Sequence, residues 1–155
     1  MTKVILLERL AEFTEEATKD IIMPTRLQKG DTEQIVRAAN IHKMRLPDSK
    51  AAQKEAPYII HQIITGKDNL SSNAVMRSIF CVYNNNEEEG GMMLLNLMER
   101  VRIALLKSGT VGNQFTLDIN AGVETLIYPD DTAPYYAGEM ITNWKLPTIE
   151  REVIL

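Results

Sequence analysis

The residues able to do chemistry are few, and their spacing decides what they can do. Backbone amides and an ammonium group could cradle phosphate at Gly66-Lys67. A phosphate loop, however, needs a glycine five residues earlier and Ser or Thr after the lysine, and His61 and Asp68 stand there. Gly109-Thr110-Val111-Gly112 lacks the Lys-Ser/Thr end and reads as a helix stop and turn. Asp118, Asn120 and Gly122 begin like a calcium loop, but Val123 and Pro129 occupy the places of its obligatory glycine and bidentate glutamate. Pro129-Asp130, with Glu124, Asp131 and Glu139 nearby, offers carboxylates for metal-assisted cleavage. No Glu-x-Lys follows to polarise a metal-bound water, so a solvated acidic loop is the simpler account. His42 and His61 are separated by element breaks and have no ligand partner in sequence. The lone Cys81 can form neither an internal disulfide nor a Cys-rich zinc site, and its place in an apolar run makes it a small core filler. Asn69-Leu70-Ser71 matches a glycosylation triplet without a secretory signal to make it meaningful. The expectation is a chain with no catalytic residue, no metal and no cofactor.

The elements that would position these residues are legible from periodicity. Val4, Leu7, Leu10, Ala11, Thr14 and Ala17 recur at three- and four-residue steps and predict a helix over 3–19, closed by Pro24. Gly30-Asp31, with Gln34 at the capping-box place, predicts a second helix through Ile35–Ile41, bounded by Pro47. Residues 48–56 read as an exposed connection. Pro57 opens a strand from Tyr58 to Thr65, Gly66 to Asn73 form a loop, and 74–83 form a strand with a buried middle at Ile79–Tyr83. Asn86 caps a long helix, with Glu89 at the capping-box place and Gly109 as its left-handed stop. Leu94, Leu97, Met98, Val101, Ile103 and Leu105 supply its apolar face, and Met92 and Met93 join Met98 in core packing. Such a helix spans roughly 30 Å, enough to cross a small sheet. Residues 114–120 and 123–128 predict a hairpin turned at Ala121-Gly122, and 138–146 a last strand with Met140, Thr142 and Trp144 on one side. The fold class is therefore α+β: a mostly antiparallel β-sheet packed by a long central helix, with an additional N-terminal helix. It forms one domain over 1–155, divided into a helical and basic extension (1–55), an α+β core (56–147) and a tail (148–155).

Composition narrows the function classes. The 155 residues are 45% hydrophobic and 25% charged, with a formal net charge of −4, which argues against a nucleic-acid-coating protein. No apolar run approaches the ~20 residues needed to span a bilayer. The run Val4–Leu7 is too short for a signal-peptide core, so the expected place of synthesis is a reducing cytoplasm. Charge is unevenly spread: residues 26–54 carry seven basic and three acidic groups, and residues 110–155 carry two basic and seven acidic. Two such segments can attract each other within one molecule or between copies.

The order of segments in the second half matches a known pattern. Ala56-Pro57-Tyr58-Ile59-Ile60 leads into a strand, followed by Ile79-Phe80-Cys81-Val82-Tyr83 and the helix with Leu95-Asn96-Leu97-Met98-Glu99-Arg100-Val101-Arg102. Phe115-Thr116-Leu117 and Leu126-Ile127-Tyr128-Pro129 come next, and Tyr135-Tyr136-Ala137-Gly138-Glu139-Met140 and Trp144-Lys145-Leu146-Pro147 close it. This pattern, over about residues 56–150, resembles the tail terminator (tail completion) proteins of tailed phages and prophages. The resemblance implies a non-enzymatic virion protein. Six copies would form a homohexameric ring at the head-proximal end of the tail, capping the tube, ending its polymerisation and joining it to the head. Implied partners are further copies of the chain, the tail tube protein and the head–tail connector or neck proteins, with DNA only passing through the bore and no membrane. Neck proteins of similar fold are the nearest alternative, and a small α+β enzyme or ligand-binding subunit a more distant one. The ring-interface candidates are the basic Arg37, Lys43, Arg45, Lys50 and Lys54 against Glu124, Asp130, Asp131 and Glu139. Lys67, Asp68, Asn69 and Thr132 are the candidates for contact with tube or neck.

Overall fold

The computed structural model describes residues 2–27, 30, 32–45, 55–129 and 133–149. In chain order the elements are α1 (Thr2–Thr18), β1 (Met23–Pro24), β2 (Val36–Arg37), β3 (Asn40–Lys43), β4 (Tyr58–Asp68) and β5 (Ser72–Tyr83). They continue with α2 (Glu87–Ser108), β6 (Thr110–Val111), β7 (Phe115–Leu117), β8 (Glu124–Ile127) and β9 (Tyr135–Leu146). The α+β class expected from the sequence holds: two helices pack on a mostly antiparallel sheet.

The long strands β4, β5 and β9 form the middle of that sheet. Side chains alternate between its faces. Ala74, Met76, Phe80 and Val82 of β5 and Met140, Trp144 and Leu146 of β9 are buried on the helix-covered face. The antiparallel registers Met76↔Thr142, Ser78↔Met140 and Phe80↔Gly138 keep them on one side. The sheet order is β3-β4-β5-β9-β7-β6, with β8 also on β9, and among the described residues only β3 with β4 runs parallel.

Helix α2 has the N-cap and left-handed stop its sequence predicts, but not the Glu89 capping box, since the Asn86 N–H donates to Asn84 Oδ1 at 2.8 Å. The Asn86 side chain accepts from the Glu88 N–H, Glu87, Glu88 and Glu89 lie in the first turn, and Gly109 closes the helix at φ 69° with its N–H on the Leu105 carbonyl. Leu94, Leu97, Met98, Val101 and Leu105 face the core. Ile103 and Met92 do not; they are 42% and 67% exposed, on the far side of the helix. The stripe of α1 is Leu6, Leu7, Leu10, Thr14 and Thr18, so Val4 stays outside. Arg100 fastens the two helices, donating to Asp20 at 2.8 Å and to the Ala17 carbonyl.

Three expected elements take another form. The predicted second helix is instead β2 and β3. The β-branched Val36 and Ile41 go into ladders: Val36 opposite Pro24 in a small ribbon, and Ile41 opposite Ile59 on the main sheet. Tertiary pairing overrides a weak capping signal there. The expected loop 66–73 is mostly strand, since β4 runs to Asp68 and β5 starts at Ser72, leaving a turn at Asn69-Leu70-Ser71. The expected hairpin is absent because β7 and β8 are both antiparallel to β9 and therefore run the same way. Residues 118–123 step the chain along one edge of β9 rather than reversing it, with Gly122 at φ 81° in the step.

Leu97 is fully buried and Ile103 is not, so their truncations separate the two sides of α2. Leu97→Ala is expected to cost about 2–5 kcal/mol in urea unfolding, and Ile103→Ala about 0.5 kcal/mol or less. Equal costs would mean that the helix face is assigned wrongly.

Candidate assembly edges

The sheet ends in two open edges. On one side β3 covers β4 only along Tyr58–His61. From Ile64 to Asp68, β4 is exposed, with β5 on one side and no strand on the other among the described residues. On the other side lies β8, all four residues of which are exposed and which among the described residues pairs with β9 alone. Leu126 and Ile127 put apolar side chains on that edge, 51% and 44% exposed.

The charged candidates divide between these edges. Lys43 ends β3, Arg45 follows it and Lys67 lies in the uncovered half of β4, all three exposed. Glu124 opens β8, and Glu139 is half-buried beside it on β9 opposite Leu126. Sequence distance gave no hint of this geometry: basic and acidic groups stand on opposite margins of one sheet. Asp68 shares the basic margin. Lys50, Lys54, Asp130, Asp131 and Thr132 lie outside the described residues.

Arg37 takes a different role from the interface one expected of it. Its guanidinium donates to the carbonyls of Ala38, Pro57 and Glu55 at 3.1, 2.9 and 2.7 Å. Partial burial lowers its affinity for the proton, and the three carbonyls satisfy a donor fork that would otherwise be costly to desolvate. The residue staples β2 to the start of β4.

The face of the sheet turned away from the helices carries a second apolar cluster, Ala56, Tyr58, Ile60, Cys81 and Tyr83. Burial pushes the Cys81 thiol up to about 11, so it stays protonated and inert beside Tyr58. Burial also raises the Tyr58 and Tyr128 phenols, the latter helped by the nearby negative charge of Glu139. Arg77 donates twice to Gln62 Oε1, at 3.0 and 2.9 Å.

One polar group escaped sequence reasoning. His61 is fully buried between α1 and the sheet, with Nδ1 2.7 Å from Ser78 Oγ and Nε2 2.9 Å from Thr14 Oγ1. Thr14 already donates to the Leu10 carbonyl at 2.7 Å. Its one proton is thus committed, so Nε2–H donates to Thr14 and Nδ1 accepts from Ser78. A serine–histidine pair has the form of a nucleophile and its base, but Thr14, His61 and Ser78 are all buried, so no substrate atom reaches them. The alternation Ile59, His61, Ile63 carried the signal that this histidine faces the core. Among the described residues no group of three His, Cys, Asp or Glu is placed to hold a metal ion, and no helix is long and apolar enough to cross a membrane.

Burial holds His61 neutral, with its pKa lowered to about 3 from an ordinary 6.5. The folded state therefore binds fewer protons than the unfolded one between those values, and stability falls as pH drops from 6.5. Between pH 6.5 and 5 the loss from this group is about 2 kcal/mol, at about 1.4 kcal/mol per pH unit. Unfolding midpoints measured across that window should slope in the native chain and flatten in His61→Ala, whatever the variant's overall stability. An unchanged slope would exclude His61 as its source.

Compared with protein-family models and with curated proteins, the chain matches none.

Proposed function

We propose that this chain is a structural ring protein of the tail-terminator kind. Copies would join head to tail into a ring that caps a finished tail tube, ends its polymerisation and gives the head or neck a surface to join. The resemblance of residues 56–150 suggests the reading, and one observation supports it physically: Lys43, Arg45 and Lys67 stand on one margin of the sheet, Glu124 and Glu139 on or beside the other. Margins of unlike charge complement each other between copies in the same orientation. That is a heterologous contact, the kind that makes a ring when the rotation between copies closes, and not the self-matching patch of a twofold dimer. Exposed ion pairs give only about 0–1 kcal/mol each, so charge sets partner and register while apolar and strand contacts supply most of the affinity.

The further partners are the tail tube protein and the connector or neck proteins, and the place is the head-proximal end of the tail. The β4–β5 tip suits a contact with one of them. Lys67, Asp68 and Asn69 lead into Leu70, which is 99% exposed, and a rigid hairpin carries all four. The negative net charge of the chain fits a bore through which DNA passes without adhering.

Lys43→Glu combined with Arg45→Glu tests the reading, since both residues are exposed and the fold should be intact by circular dichroism. In a phage or prophage that depends on this chain, the variant should yield overlong or headless tails by electron microscopy. Normal tail length and head attachment would count against the proposal.

A further inference from the structure

The open edges are more than charged margins; each is a strand whose outward backbone groups meet no further strand among the described residues. We infer that β8 of one copy adds antiparallel to the uncovered half of β4 in the next copy, with Glu124 opposite Lys67. This rests on the ring reading and deepens it by naming the joint.

Strand direction favours it. Across the sheet β4, β5, β9 and β8 alternate in direction, each antiparallel to the one before. Setting a second copy beside the first in the same orientation therefore puts β8 and the next β4 antiparallel without turning either sheet over. Both edges also need a cover. An exposed edge bearing Leu126 and Ile127 on one side and Ile64, 46% exposed, on the other is a template for unwanted pairing unless a specific partner takes it.

Side-chain alternation then selects the register. Thr65 and Lys67 pair with Val75 and Asn73, on the face away from the helices, while Gly66 pairs with the buried Ala74 and lies against Lys3 of α1, on the helix face. On β8, Thr125 pairs with the buried Met140, so Thr125 is on the helix face and Glu124 and Leu126 on the other. Faces agree when Glu124 meets Lys67, Thr125 meets Gly66 and Leu126 meets Thr65. Thr125 and Gly66 turn their N–H and C=O groups to the open side and would exchange hydrogen bonds. Glu124 and Lys67 would form the adjoining non-hydrogen-bonded pair, where side chains approach most closely.

The geometry of closure follows. Glu124 lies at the level of Ile141 on β9, and Lys67, through Asn73, at the level of Lys145, a stagger of four residues per copy. Four residues are about 13 Å along a strand, and four strands are about 19 Å across. The strands would then tilt about 35° from the ring axis, the tilt at which closed barrels form. His61, facing the helices, directs its carbonyl to the Met44 N–H beyond β3, at 2.7 Å. For L-residues this puts β3 to the right and β8 to the left, seen from the helices with β4 pointing up. The stagger then coils the strands right-handed when the helices are outside, the sense that strand twist favours. The helix-free face would line the bore.

Cysteine trapping tests the joint. A chain carrying both Lys67→Cys and Glu124→Cys, oxidised at a concentration where native mass spectrometry finds rings of the unaltered chain, should yield covalent oligomers of three or more copies. Each single variant should stay uncrosslinked, because Cys81 is buried. Thr125→Pro, which removes an outward N–H, should weaken assembly at least about tenfold with circular dichroism unchanged. Rings of the unaltered chain without crosslinking of the double variant would overturn the β8–β4 joint and leave the ring reading standing. Covalent dimers from Lys67→Cys alone would overturn it in favour of a twofold contact. An unaltered chain that stays monomeric at every concentration would overturn both the joint and the ring.

Discussion

Burial of one face of the β5–β9 ladder beneath α2 is the constraint on which the rest of the molecule depends. Both strands are twelve residues long and pair along their whole length, so a slip of one residue would carry Met76, Phe80, Met140 and Trp144 to the opposite face. Leu94, Leu97, Met98, Val101 and Leu105 of α2 select a single register by accepting only that set of side chains. Everything else is measured from that ladder. β4 is placed by β5, β7 and β8 by β9, and the open edges lie where the ladders on β4 and β9 stop.

The second helix is attached in a different manner. Leu6, Leu7 and Leu10 of α1 join the same core, but His61 adds a polar tie from the sheet to Thr14. Every proton in the chain from Ser78 through His61 and Thr14 to the Leu10 carbonyl has an acceptor, which is what lets four polar groups sit in an apolar interior. The tie fixes where α1 crosses β4, and Lys3 consequently lies over Gly66, where a side chain would collide with it. Glycine at 66 leaves room for the Lys3 side chain, a flexible arm that a larger residue would displace, and keeps the outward backbone of β4 uncluttered.

Protection and availability are balanced along the edges. The register shift between Ile63 and Thr65 bends β4 where β3 ends, and a bulge of this kind discourages indiscriminate pairing. Lys67 and Glu124 add single charges of opposite sign, and β6 is only two residues long. These features discourage indiscriminate edge pairing and would favour the proposed arrangement of two copies above others. The proposed head-to-tail ring would draw on the same features, its specificity residing in charges that contribute little affinity.

Local signals were enough for part of this. The caps Asn86 and Gly109 bounded α2, the three- and four-residue apolar steps outlined both helices, and the period-two alternation of Met140, Thr142 and Trp144 fixed the inner face of β9. The class of the fold followed, because a long amphipathic helix between strand pairs has one way to bury its stripe. The segment 31–43 misled because a capping pattern and a ladder compete for the same residues, and the partner that decides, β4, is remote in sequence. The stretch 114–128 misled because two short strands with a turn between them look alike whether they pair with each other or with a third. The charge segregation behind the assembly reading was visible in the sequence, and Lys43, Arg45 and Glu124 kept the exposure it implied. Only the tertiary structure took Arg37 out of that set, by surrounding it with three carbonyls, and set the remaining charges on opposite margins of one sheet. Composition and periodicity are properties of neighbouring residues, so the sequence by itself determined the two helices, the long strands and most of their buried faces. Which strand stands at an edge depends on long-range pairing, and that was decided only by the folded sheet.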